Sequence, residues 1–389
     1  MTDIPLVATL LPNRGIADIA VRAWEADEAI APIPADAPKS EIERRLTLLR
    51  PTHLVDGSGR HARRDGRPVP ADTAAVVTTS GTTGTPKLVE LTRSGMEVMG
   101  RGYTAAVEAD ADDCWLACMP LHHVASLAII ARAHVCKLPV VVHDKFDLQR
   151  VGASSRDEGV TMVSLVPTIL HRLVEIDAPL ESFRRLIIGG AVLAPGLRTR
   201  AEAAGAVIAD AYGLTETWGG CVTNGVPNDG VDARLGTDDE VQIRGGPVMR
   251  RYRFADDATR AVLDDDGWFH TGDVGAFVDG RLTIIDRLND LVITGGVNVS
   301  PTEVEDVLLA HPAIRDVCVI GEPDDEWGER VVAVVVATDT PPSLDELRGF
   351  GRERLATPKL PRALRFVDEI PRSASGKPLR RLLRDVVAE

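Results

Sequence analysis

Short apolar runs alternate with helix-length amphipathic segments from residue 74 onward, and this alternation limits the possible folds more than any other feature of the chain. Short apolar runs are typical of strands buried on both faces of a sheet, and helices between them imply parallel βαβ units. The predicted strands are 115–119, 139–143, 162–166, 185–190 and 206–213, and the predicted helices are 124–137, 147–158, 167–176 and 195–204.

The pattern changes after about residue 221, where strands become shorter and turns more frequent. EVQIRG at 240–245 and RLTIID at 281–286 are two of these short runs, and they favour a small β-rich subdomain. Residues 1–70 are less regular than the rest of the chain. We expect the segment 56–70, which is rich in Arg, Gly and Pro, to be a loop.

A second change falls at the polar segment 287–290. Ser300 and Glu303 form a capping box with a proline at the first helical position between them, so a helix is expected to begin there. This favours a compact α+β domain of its own. Its other predicted elements are strands at 314–320 and 331–337 and a second helix opened by Ser343 and Glu346.

The length of 389 residues is long for one hydrophobic core and supports a division into two domains. We predict an α/β fold with a large N-terminal domain at residues 1–286, in which mainly parallel sheets are flanked by helices and joined by the β-rich subdomain. The small α+β domain is predicted at residues 287–389.

Composition and charge exclude several classes of partner. No apolar run reaches the length of a membrane span, and the N-terminus lacks the basic region and long apolar stretch of a signal peptide, so a cytoplasmic protein is expected. The net charge of −14 argues against nucleic acid, which is usually bound by a basic patch. An anionic ligand is not excluded, because screening over roughly 8 Å leaves the decision to the charges that line a cleft.

The segment TTSGTTGTPK, residues 78–87, has the composition of a phosphate-binding loop. Its glycines let the backbone approach a ligand, its hydroxyls and N–H groups can surround an anion, and Lys87 adds a positive charge. Pro86 and Leu88 flank that lysine, so the segment is not a Walker loop. A surface turn is the plain alternative, but the length of the segment and the apolar run 74–77 before it favour the phosphate loop.

Lysine placement supports this interpretation. The chain has 44 lysines and arginines, of which six are lysines, and two of these six lie in Gly/Ser/Thr-rich segments. Lys87 closes the first segment, and Lys377 closes PRSASGK at 371–377. Because Lys377 is distant in the sequence, it could reach the same ligand only if the C-terminal domain docked over the N-terminal one.

Further segments fit a nucleotide with its metal. In AYGLTET, residues 211–217, Tyr212 could stack on a purine, Thr215 could reach a phosphate, and Glu216 could hold Mg²⁺, which prefers carboxylate and phosphate oxygens. Taken alone, these would be a buried tyrosine and an exposed glutamate. Asp273, in GWFHTGD, could accept the ribose hydroxyls, although alone it is a turn aspartate, and Arg287 could contact ribose or phosphate.

Together these segments resemble the acyl-adenylate-forming superfamily, which includes acyl-CoA synthetases, luciferases and the adenylation domains of peptide synthetases. The resemblance runs from about residue 74 to the end, with the motifs in order. Within the superfamily, the chain looks most like the short actinobacterial 2-succinylbenzoate–CoA ligases. The matching segments are 78–87, PLHH at 120–123, GGAVL at 189–193, 211–217, GWFHTGD at 267–273, 286–305 and 371–377.

The resemblance implies that a carboxylate attacks the α-phosphorus of ATP, that pyrophosphate leaves, and that a mobile C-terminal domain then rotates to admit the thiol of CoA. Lys377 would bridge the carboxylate and the α-phosphate, and His123 would lie at the acyl pocket. The implied catalytic residues are Lys377, Thr215, Glu216 (also the Mg²⁺ ligand) and His123. The implied nucleotide-binding residues are Thr79, Ser80, Gly81, Thr82, Thr83, Gly84, Lys87, Gly190, Ala191, Tyr212, Gly213, Asp273 and Arg287. The implied acyl-pocket residues are His122, Ser126, Trp218 and Gly219, and the implied hinge is Asn289.

Some positions depart from the family pattern. Asn289 stands where the family usually has an acidic residue or lysine, and Leu88 replaces a common glycine. Ser126 and Trp218 stand where the succinylbenzoate ligases carry smaller residues, so the acid that is activated stays open.

Three functions are compatible with the sequence. The first is an ATP- and Mg²⁺-dependent acid–CoA ligase for an aromatic or dicarboxylic acid, with 2-succinylbenzoate the leading candidate and a homodimer a possible assembly. The second keeps adenylation but uses a non-CoA acceptor, including activation of nitrite for an aryl amine. The third is a nucleotide-binding protein without catalysis, against which the joint presence of Lys87, Glu216, Asp273, Arg287 and Lys377 weighs strongly.

Overall fold

The computed structural model describes residues 3–79, 86–338, 340–372, 378–380 and 382–383, with Asn289 described by its backbone alone. The chain forms two compact units. Unit 1 comprises the chain up to Arg234 together with Gln242–Thr271, and unit 2 comprises Leu235–Val241 and the chain from Gly272 onward. The predicted domain boundary at 286/287 is not tested by this division and stays a prediction.

The helices of the described residues are α1 (Asn13–Glu25), α2 (Lys39–Leu49), α3 (Arg93–Ala106), α4 (Val124–Cys136), α5 (Leu148–Glu158), α6 (Pro167–Glu175), α7 (Pro195–Ala203), α8 (Asp256–Arg260), α9 (Pro301–Leu309) and α10 (Leu344–Gly351). The strands are β1 (Asp3–Ile4), β2 (Leu6–Thr9), β3 (Ala29–Pro32), β4 (His53–Asp56), β5 (Gly59–Ala62), β6 (Val69–Pro70), β7 (Thr73–Thr79), β8 (Lys87–Thr92), β9 (Trp115–Ala117), β10 (Val140–Val142), β11 (Met162–Leu165), β12 (Arg185–Gly189), β13 (Ile208–Leu214), β14 (Gly219–Thr223), β15 (Val226–Pro227), β16 (Val231–Leu235), β17 (Glu240–Gly245), β18 (Arg251–Tyr252), β19 (Phe269–Val278), β20 (Arg281–Arg287), β21 (Val292–Thr294), β22 (Val297–Val299), β23 (Ile314–Asp324), β24 (Gly328–Ala337) and β25 (Ala363–Phe366).

Unit 1 contains a seven-stranded sheet, sheet I, in the order β10-β9-β11-β12-β13-β14-β15. The first five strands are parallel, and β14 and β15 pair antiparallel at the other edge. Neighbouring residues of one strand enter different cores: Ile187 packs with residues of α1, α3 and α4, whereas Leu186 and Ile188 pack with residues of α5, α6 and α7. The predicted parallel βαβ units are therefore confirmed, strand by strand.

A second seven-stranded sheet in unit 1, sheet II, has the order β18-β8-β7-β3-β2-β4-β5. Strands β4, β2, β3 and β7 run parallel, and β5, β8 and β18 are antiparallel to their neighbours. Val77 and Val89 share the core of α1, α3 and α4 with sheet I, while Val76 and Leu88 pack with α2. One layer of helices thus contributes to a core shared by two sheets.

The expectation of a loop at 56–70 was wrong in part, and residues 1–70 hold more regular structure than the sequence indicates. This region supplies α1, α2 and four strands of sheet II, including β5, which pairs with β4 and lies inside the segment 56–70 predicted to be a loop. All four residues of β5 are exposed, so no apolar periodicity marks this edge strand. Strand β2, in contrast, is fully buried, but its four residues are too short a run to stand out beside the apolar residues of α1.

Unit 2 contains the sheet β22-β21-β24-β23, with β25 added in parallel to β24. Helices α9 and α10 contribute Val304, Leu308 and Leu347 to its core. Both predicted helix starts are confirmed: the Ser300 hydroxyl accepts the N–H of Glu303, and Ser343 with Glu346 forms a complete capping box. A further sheet has four strands in the order β16-β17-β19-β20. The divisions between the two units, after Arg234, Val241 and Thr271, fall within its strands.

The predicted fold class is confirmed, since a large α/β unit precedes a smaller α+β unit. Among the described residues, the helices include none with both the length and the apolar content needed to cross a membrane.

Candidate active site

Three predicted site segments follow parallel strands of sheet I. The segment 120–123 follows β9, Gly190 and Ala191 follow β12, and Tyr212 and Gly213 lie in the last three residues of β13. Gly189, the last residue of β12, is paired with Ala211, so β13 extends three residues beyond the end of β12. Because the carboxyl ends of parallel strands meet at one edge, these segments share the position where open α/β sheets bind ligands.

The predicted phosphate segment connects two antiparallel strands of sheet II. Strands β7 and β8 are paired up to Thr79 and Lys87, which lie opposite each other and fix the two ends of the segment. The predicted strand before the segment is thereby confirmed as β7. Five of the residues predicted to hold phosphate lie outside the described residues, namely Ser80, Gly81, Thr82, Thr83 and Gly84.

A lysine, a tyrosine and a buried glutamate form a connected group in unit 1. The Nζ atom of Lys87 lies 4.5 Å from the ring centre of Tyr252, and the Tyr252 hydroxyl donates a hydrogen bond of 2.8 Å to Oε1 of Glu216. Glu216 is 9% exposed, contrary to the exposed position it would have as an ordinary surface residue. The structure thus brings together two predicted site residues that are far apart in the sequence, through a tyrosine that was not predicted.

Local backbone geometry positions Glu216. Residues Thr215–Thr217 form a 3-10 turn after β13, in which Oγ1 of Thr217 accepts the N–H of Leu214 at 2.9 Å. The carbonyl of Glu216 accepts the N–H of Met249 at 2.7 Å. Gly213 has no alternative residue at this turn, because a Cβ atom there would lie 1.7 Å from the carbonyl oxygen of Gly219.

Trp218 lies inside the core of unit 1. Its side chain has no exposed surface, and its indole N–H donates to the carbonyl of Thr92 at 3.0 Å, beside the first turn of α3. Its φ of 56° is in the left-handed region, which a bulky side chain rarely adopts. This geometry supports a packing role, and the contribution of Trp218 to an acyl pocket stays a prediction.

The other predicted acyl-pocket residues lie near the start of α4. Gly219 is packed against this helix, since a Cβ atom on it would be 3.7 Å from Cβ of Ala128 and 4.0 Å from Cα of Ala125. Ser126, between those two alanines, is buried. The structure therefore brings Gly219 and the helix that carries Ser126 together, although 93 residues separate them in the sequence.

His122 and His123 stack on each other with ring centres 4.3 Å apart. Burial, together with the neighbouring His123, lowers the pKa of His122 to about 4, and burial also lowers the pKa of His123. Both rings are therefore neutral near pH 7. Neutral imidazoles can accept or donate a hydrogen bond at an acid without adding a charge to the pocket.

Asn13 holds the segment before these histidines in place. Its amide donates to the carbonyls of Met119 and His143 at 3.1 and 2.9 Å, and its side-chain oxygen accepts the N–H of Leu121 at 3.0 Å. Each partner lies more than 100 residues away, so no local pattern in the sequence marked Asn13.

Unit 2 carries two further predicted nucleotide residues. Asp273 on β19 and Arg287 on β20 are cross-strand partners, and Nε of Arg287 lies 2.9 Å from Oδ1 of Asp273. Asp273 is buried, and the side chain of Arg287 is 36% exposed. The guanidinium holds the carboxylate in a fixed orientation, which suits an acceptor for two neighbouring hydroxyl groups.

The carboxylate next to Arg287 has a different task. Oδ2 of Asp286 accepts the hydroxyl of Ser300 at 2.7 Å and the N–H of Thr302 at 3.0 Å. It thereby connects the end of β20 to the first turn of α9. These bonds span the predicted hinge at Asn289, whose side chain lies outside the described residues, as does all of Lys377.

The described residues contain no group of three His, Cys, Asp or Glu side chains that could hold a metal ion. Mg²⁺ is commonly bound by one or two carboxylates together with the phosphates of a substrate. Glu216 fits such a ligand, being a carboxylate fixed by a tyrosine at the strand-end edge of sheet I.

A buried ion-pair network supports the edge of sheet II that carries Tyr252. Glu90 has no exposed surface, and it pairs with Arg251 at 2.8 Å and with Arg253 at 3.0 Å. Arg251 and Glu90 are cross-strand partners in β18 and β8, as are Tyr252 and Val89. The arginines on either side of Tyr252 therefore anchor it beside Lys87. In the sequence, the repeated arginines of RRYR at 250–253 are the one signal that could have marked this segment as part of the site.

Comparison with known proteins agrees with this site. Residues 10–267 match the family described as AMP-binding enzyme, and residues 303–377 match the AMP-binding enzyme C-terminal domain. The chain is 35% identical over 341 residues to the 2-succinylbenzoate–CoA ligase of Bacillus licheniformis, covering 80% of this chain and 70% of that protein.

Two solved structures are similar over nearly the whole chain. One is o-succinylbenzoate CoA synthetase (MenE) from Bacillus subtilis in complex with the acyl-adenylate intermediate OSB-AMP, with 29% identity, a TM-score of 0.86, and coverage of 98% of this chain and 88% of that one. The other is the amide bond synthetase McbA from Marinactinospora thermotolerans, with 25% identity, a TM-score of 0.87, and coverage of 99% and 90%.

The fold and the strand-end site define a nucleotide-dependent α/β enzyme, and the family match covers most of the chain. The chain belongs to the AMP-binding enzyme family. The resemblance that the motifs indicated is thereby confirmed.

Proposed function

We infer that this protein is an ATP-dependent, AMP-forming acid–CoA ligase. The observation that carries this inference is the connection of Lys87 through Tyr252 to the buried Glu216, at the edge of sheet I where parallel strands end. A cation and a carboxylate held together at such an edge suit a polyphosphate and the metal ion that accompanies it. The relatives named as acid–CoA ligases support the reaction class.

In the first half-reaction, a carboxylate oxygen of the acid attacks the α-phosphorus of ATP. A bond from oxygen to phosphorus forms, the bond to pyrophosphate breaks, and an acyl-adenylate results. Two anions must approach each other, so the protein contributes mainly positioning and charge neutralisation. Lys87 and Lys377 would neutralise phosphate oxygens, Thr215 would donate to a phosphate, and Asp273 would accept the ribose hydroxyls.

Magnesium, bound at Glu216 and the nucleotide phosphates, would supply further positive charge next to the leaving pyrophosphate. In the second half-reaction, the sulfur of CoA attacks the acyl carbon, the bond to AMP breaks, and the thiol proton is released. His122 and His123 are neutral near pH 7, so they would contact the acid by hydrogen bonds without adding a positive charge to the pocket.

For the acid, 2-succinylbenzoate is the leading candidate, because it is named for relatives at 35% and 29% identity. Ser126 and Trp218, which differ in size from the ligase pattern, are both buried. We expect an aromatic or dicarboxylic acid of this size to be accepted.

A second candidate function keeps the adenylation but transfers the acyl group to an amine. The similarity to the amide bond synthetase McbA supports it, since that fold match is as complete as the match to MenE. Activation of nitrite for an aryl amine belongs to the same group of reactions with an acceptor other than CoA.

One experiment separates these functions. The purified protein is incubated with ATP, Mg²⁺ and a panel of acids that includes 2-succinylbenzoate, and then with CoA, with an amine, or with nitrite and an aryl amine. Acid-dependent pyrophosphate release followed by a CoA thioester in the mass spectrum is the expected result. An amide or a nitrite-dependent AMP signal in place of the thioester would establish the second function. ATP binding without turnover of any acid would overturn both.

We also propose a cytoplasmic location, because ATP and CoA are both available there, and a homodimer as the assembly. Light scattering on the purified protein tests the assembly, and a monomeric mass at micromolar concentration would contradict it.

A further inference from the structure

Arg380 is a buried charged residue that the proposed chemistry does not use. It lies three residues after Lys377 in the sequence, and 8% of its side chain is exposed. Burying an arginine is costly unless its charge is paired and its N–H groups are hydrogen-bonded. The partners of Arg380 therefore indicate which interactions offset the free-energy cost of burying it.

Arg380 and Glu305 together bind both backbone groups of one residue in β23. Nη2 of Arg380 lies 2.7 and 2.9 Å from the two carboxylate oxygens of Glu305, and Nε donates to the carbonyl of Val319 at 3.2 Å. Oε1 of Glu305 accepts the N–H of Val319 at 2.7 Å. The backbone of Val319 thus connects strand β23 to helix α9 and to the segment that contains Arg380.

The other side of the Lys377 segment is fastened to the same strand. Arg372 pairs with Asp316 of β23 at 2.7 and 2.9 Å. The two flanks of the segment also meet each other, since Arg372 and Pro378 form an antiparallel bridge and the N–H of Leu379 donates to the carbonyl of Pro371 at 2.8 Å. Five residues, 373–377, lie between these flanks.

Arg380 also faces the predicted hinge. Its Nη1 atom lies 3.8 Å from Oδ2 of Asp290, the residue directly after Asn289. The guanidinium of Arg380 therefore contacts three parts of the chain: Asp290 beside the hinge, Glu305 of α9, and Val319 of β23. Of the two flanking arginines, the buried Arg380 is the one that makes all of these contacts.

We propose that Arg380 is a positioning residue for the adenylation step: it fixes the chain that directly follows Lys377, residues 378–380, and ties this chain to the residue beside the predicted hinge. This rests on the proposed function, in which Lys377 serves the first half-reaction only. A group that positions Lys377 must then affect adenylate formation and spare the transfer to CoA. A residue that merely stabilises unit 2 would affect both half-reactions alike.

The test uses the full-length protein with Arg380→Met, Arg380→Lys and Glu305→Gln, and with Arg330→Met as the control. Arg330 also pairs with a carboxylate of β23, Glu322, at 2.6 Å, so the control removes an ion pair of the same sheet, although a more exposed one. Pyrophosphate release with 2-succinylbenzoate measures the first half-reaction. Thioester formation from synthetic 2-succinylbenzoyl-adenylate and CoA measures the second.

We expect Arg380→Met to slow pyrophosphate release about 100-fold, the scale of a misplaced catalytic group, and to leave thioester formation within about threefold of wild type. Arg380→Lys keeps the charge but not the forked geometry, so an intermediate loss is expected. Arg330→Met should leave both rates within about threefold. Equal loss of both half-reactions, or no loss in either, would overturn the proposal.

Hydrogen–deuterium exchange supplies a readout that does not need activity. In Arg380→Lys and Glu305→Gln, peptides covering 371–383 should exchange faster than in wild type, whereas Arg330→Met should leave them unchanged. If Arg380→Met does not fold, these two variants carry the test. Unchanged exchange in both variants would overturn the proposal even if no acid is turned over. Faster exchange in the variants, combined with a wild-type protein that activates no acid, would contradict the proposed function alone.

Discussion

Nε of Arg287 lies 2.9 Å from Oδ1 of Asp273, across the strand pair β19–β20. Two residues that the sequence assigns separately to the nucleotide are therefore partners of each other. The arginine fixes the carboxylate, and the carboxylate would in turn fix the ribose.

Asp273→Ala is expected to weaken ATP binding by about 1.5–3 kcal/mol, because hydrogen bonds to a charged acceptor are lost. Calorimetric titration with ATP in the absence of an acid measures this directly. Arg287→Met is the companion variant, and it should have a smaller effect because Asp273 keeps its carboxylate. Unchanged ATP affinity in Asp273→Ala would remove this residue from the site.

Tyr252→Phe removes the hydroxyl that donates to Glu216 and keeps the ring beside Lys87. We expect the free energy of unfolding to fall by about 1.5–3 kcal/mol, since a buried carboxylate loses a donor, and the KM for Mg²⁺-ATP to rise. Urea unfolding and steady-state kinetics measure the two effects. Tyr252→Leu also removes the ring and should raise the KM further. A KM for Mg²⁺-ATP that is unchanged in both variants would show that this tyrosine has no part in nucleotide binding.

Lys377→Ala should abolish adenylate formation and leave thioester synthesis from a supplied acyl-adenylate largely intact. The physical reason is that an ammonium group neutralises charge while two anions approach, and no such approach occurs in the second half-reaction. Pyrophosphate release and thioester formation are measured separately. Equal loss of both would contradict the idea that two conformations serve the two steps.

Trp218→Phe is expected to lower stability by about 1–3 kcal/mol, because the carbonyl of Thr92 loses its donor and the core loses volume. Trp24→Phe is a matched control: Trp24 is also buried, and its indole donates to the carbonyl of Ala74 at 3.0 Å. Both variants should keep the ranking of acids by kcat/KM. A changed ranking in Trp218→Phe alone would show that Trp218 does shape the acyl pocket.

His122 should make stability depend on pH in a defined window. Burial lowers its pKa in the folded protein to about 4, while the unfolded chain keeps the ordinary value of about 6.5. Between these values the unfolded state binds more protons, so stability rises with pH from 4 to 6.5 and is constant above. The contribution is at most about 3 kcal/mol and is reduced because the ring is partly exposed. Urea unfolding of wild type and His122→Gln at several pH values should show a smaller pH dependence in the variant; identical slopes would contradict this assignment.

The sequence predicts sheet I closely because its strands are buried on both faces and its helices have clear lengths. The predicted helix at 147–158, for example, corresponds to Leu148–Glu158. The starts of α9 and α10 could also be predicted, because their capping residues Ser300 and Ser343 bind backbone groups only three positions away. Strand β5 has no such local signal, because its four residues are exposed; it is held by pairing with β4 and by the ion pair of Arg60 with the distant Glu28.

The site shows the same division between local and distant information. Glu216 could be chosen from the motif around it, but its burial and its bond to Tyr252 depend on a strand at the far edge of sheet II. Asn13 acts on carbonyls more than 100 residues away, and the indole of Trp218 donates to the carbonyl of Thr92, which is 126 residues away. Residue type and order indicate the chemistry, and contacts between distant segments decide which side chains can take part.

The two hydrogen bonds that Asp286 accepts from Ser300 and Thr302 bear on the balance between conformers. If the chain pivots at Asn289, as the family resemblance implies, both bonds lie across the pivot and must open before the rotation is complete. Each is worth about 1.5–3 kcal/mol, so Asp286→Ala should shift the ratio of the two conformers at least about tenfold away from the one described. The rate of turnover would then depend on how often these two hydrogen bonds open. Removing them should raise the rate if the conformer without them is the less populated one, and lower it otherwise.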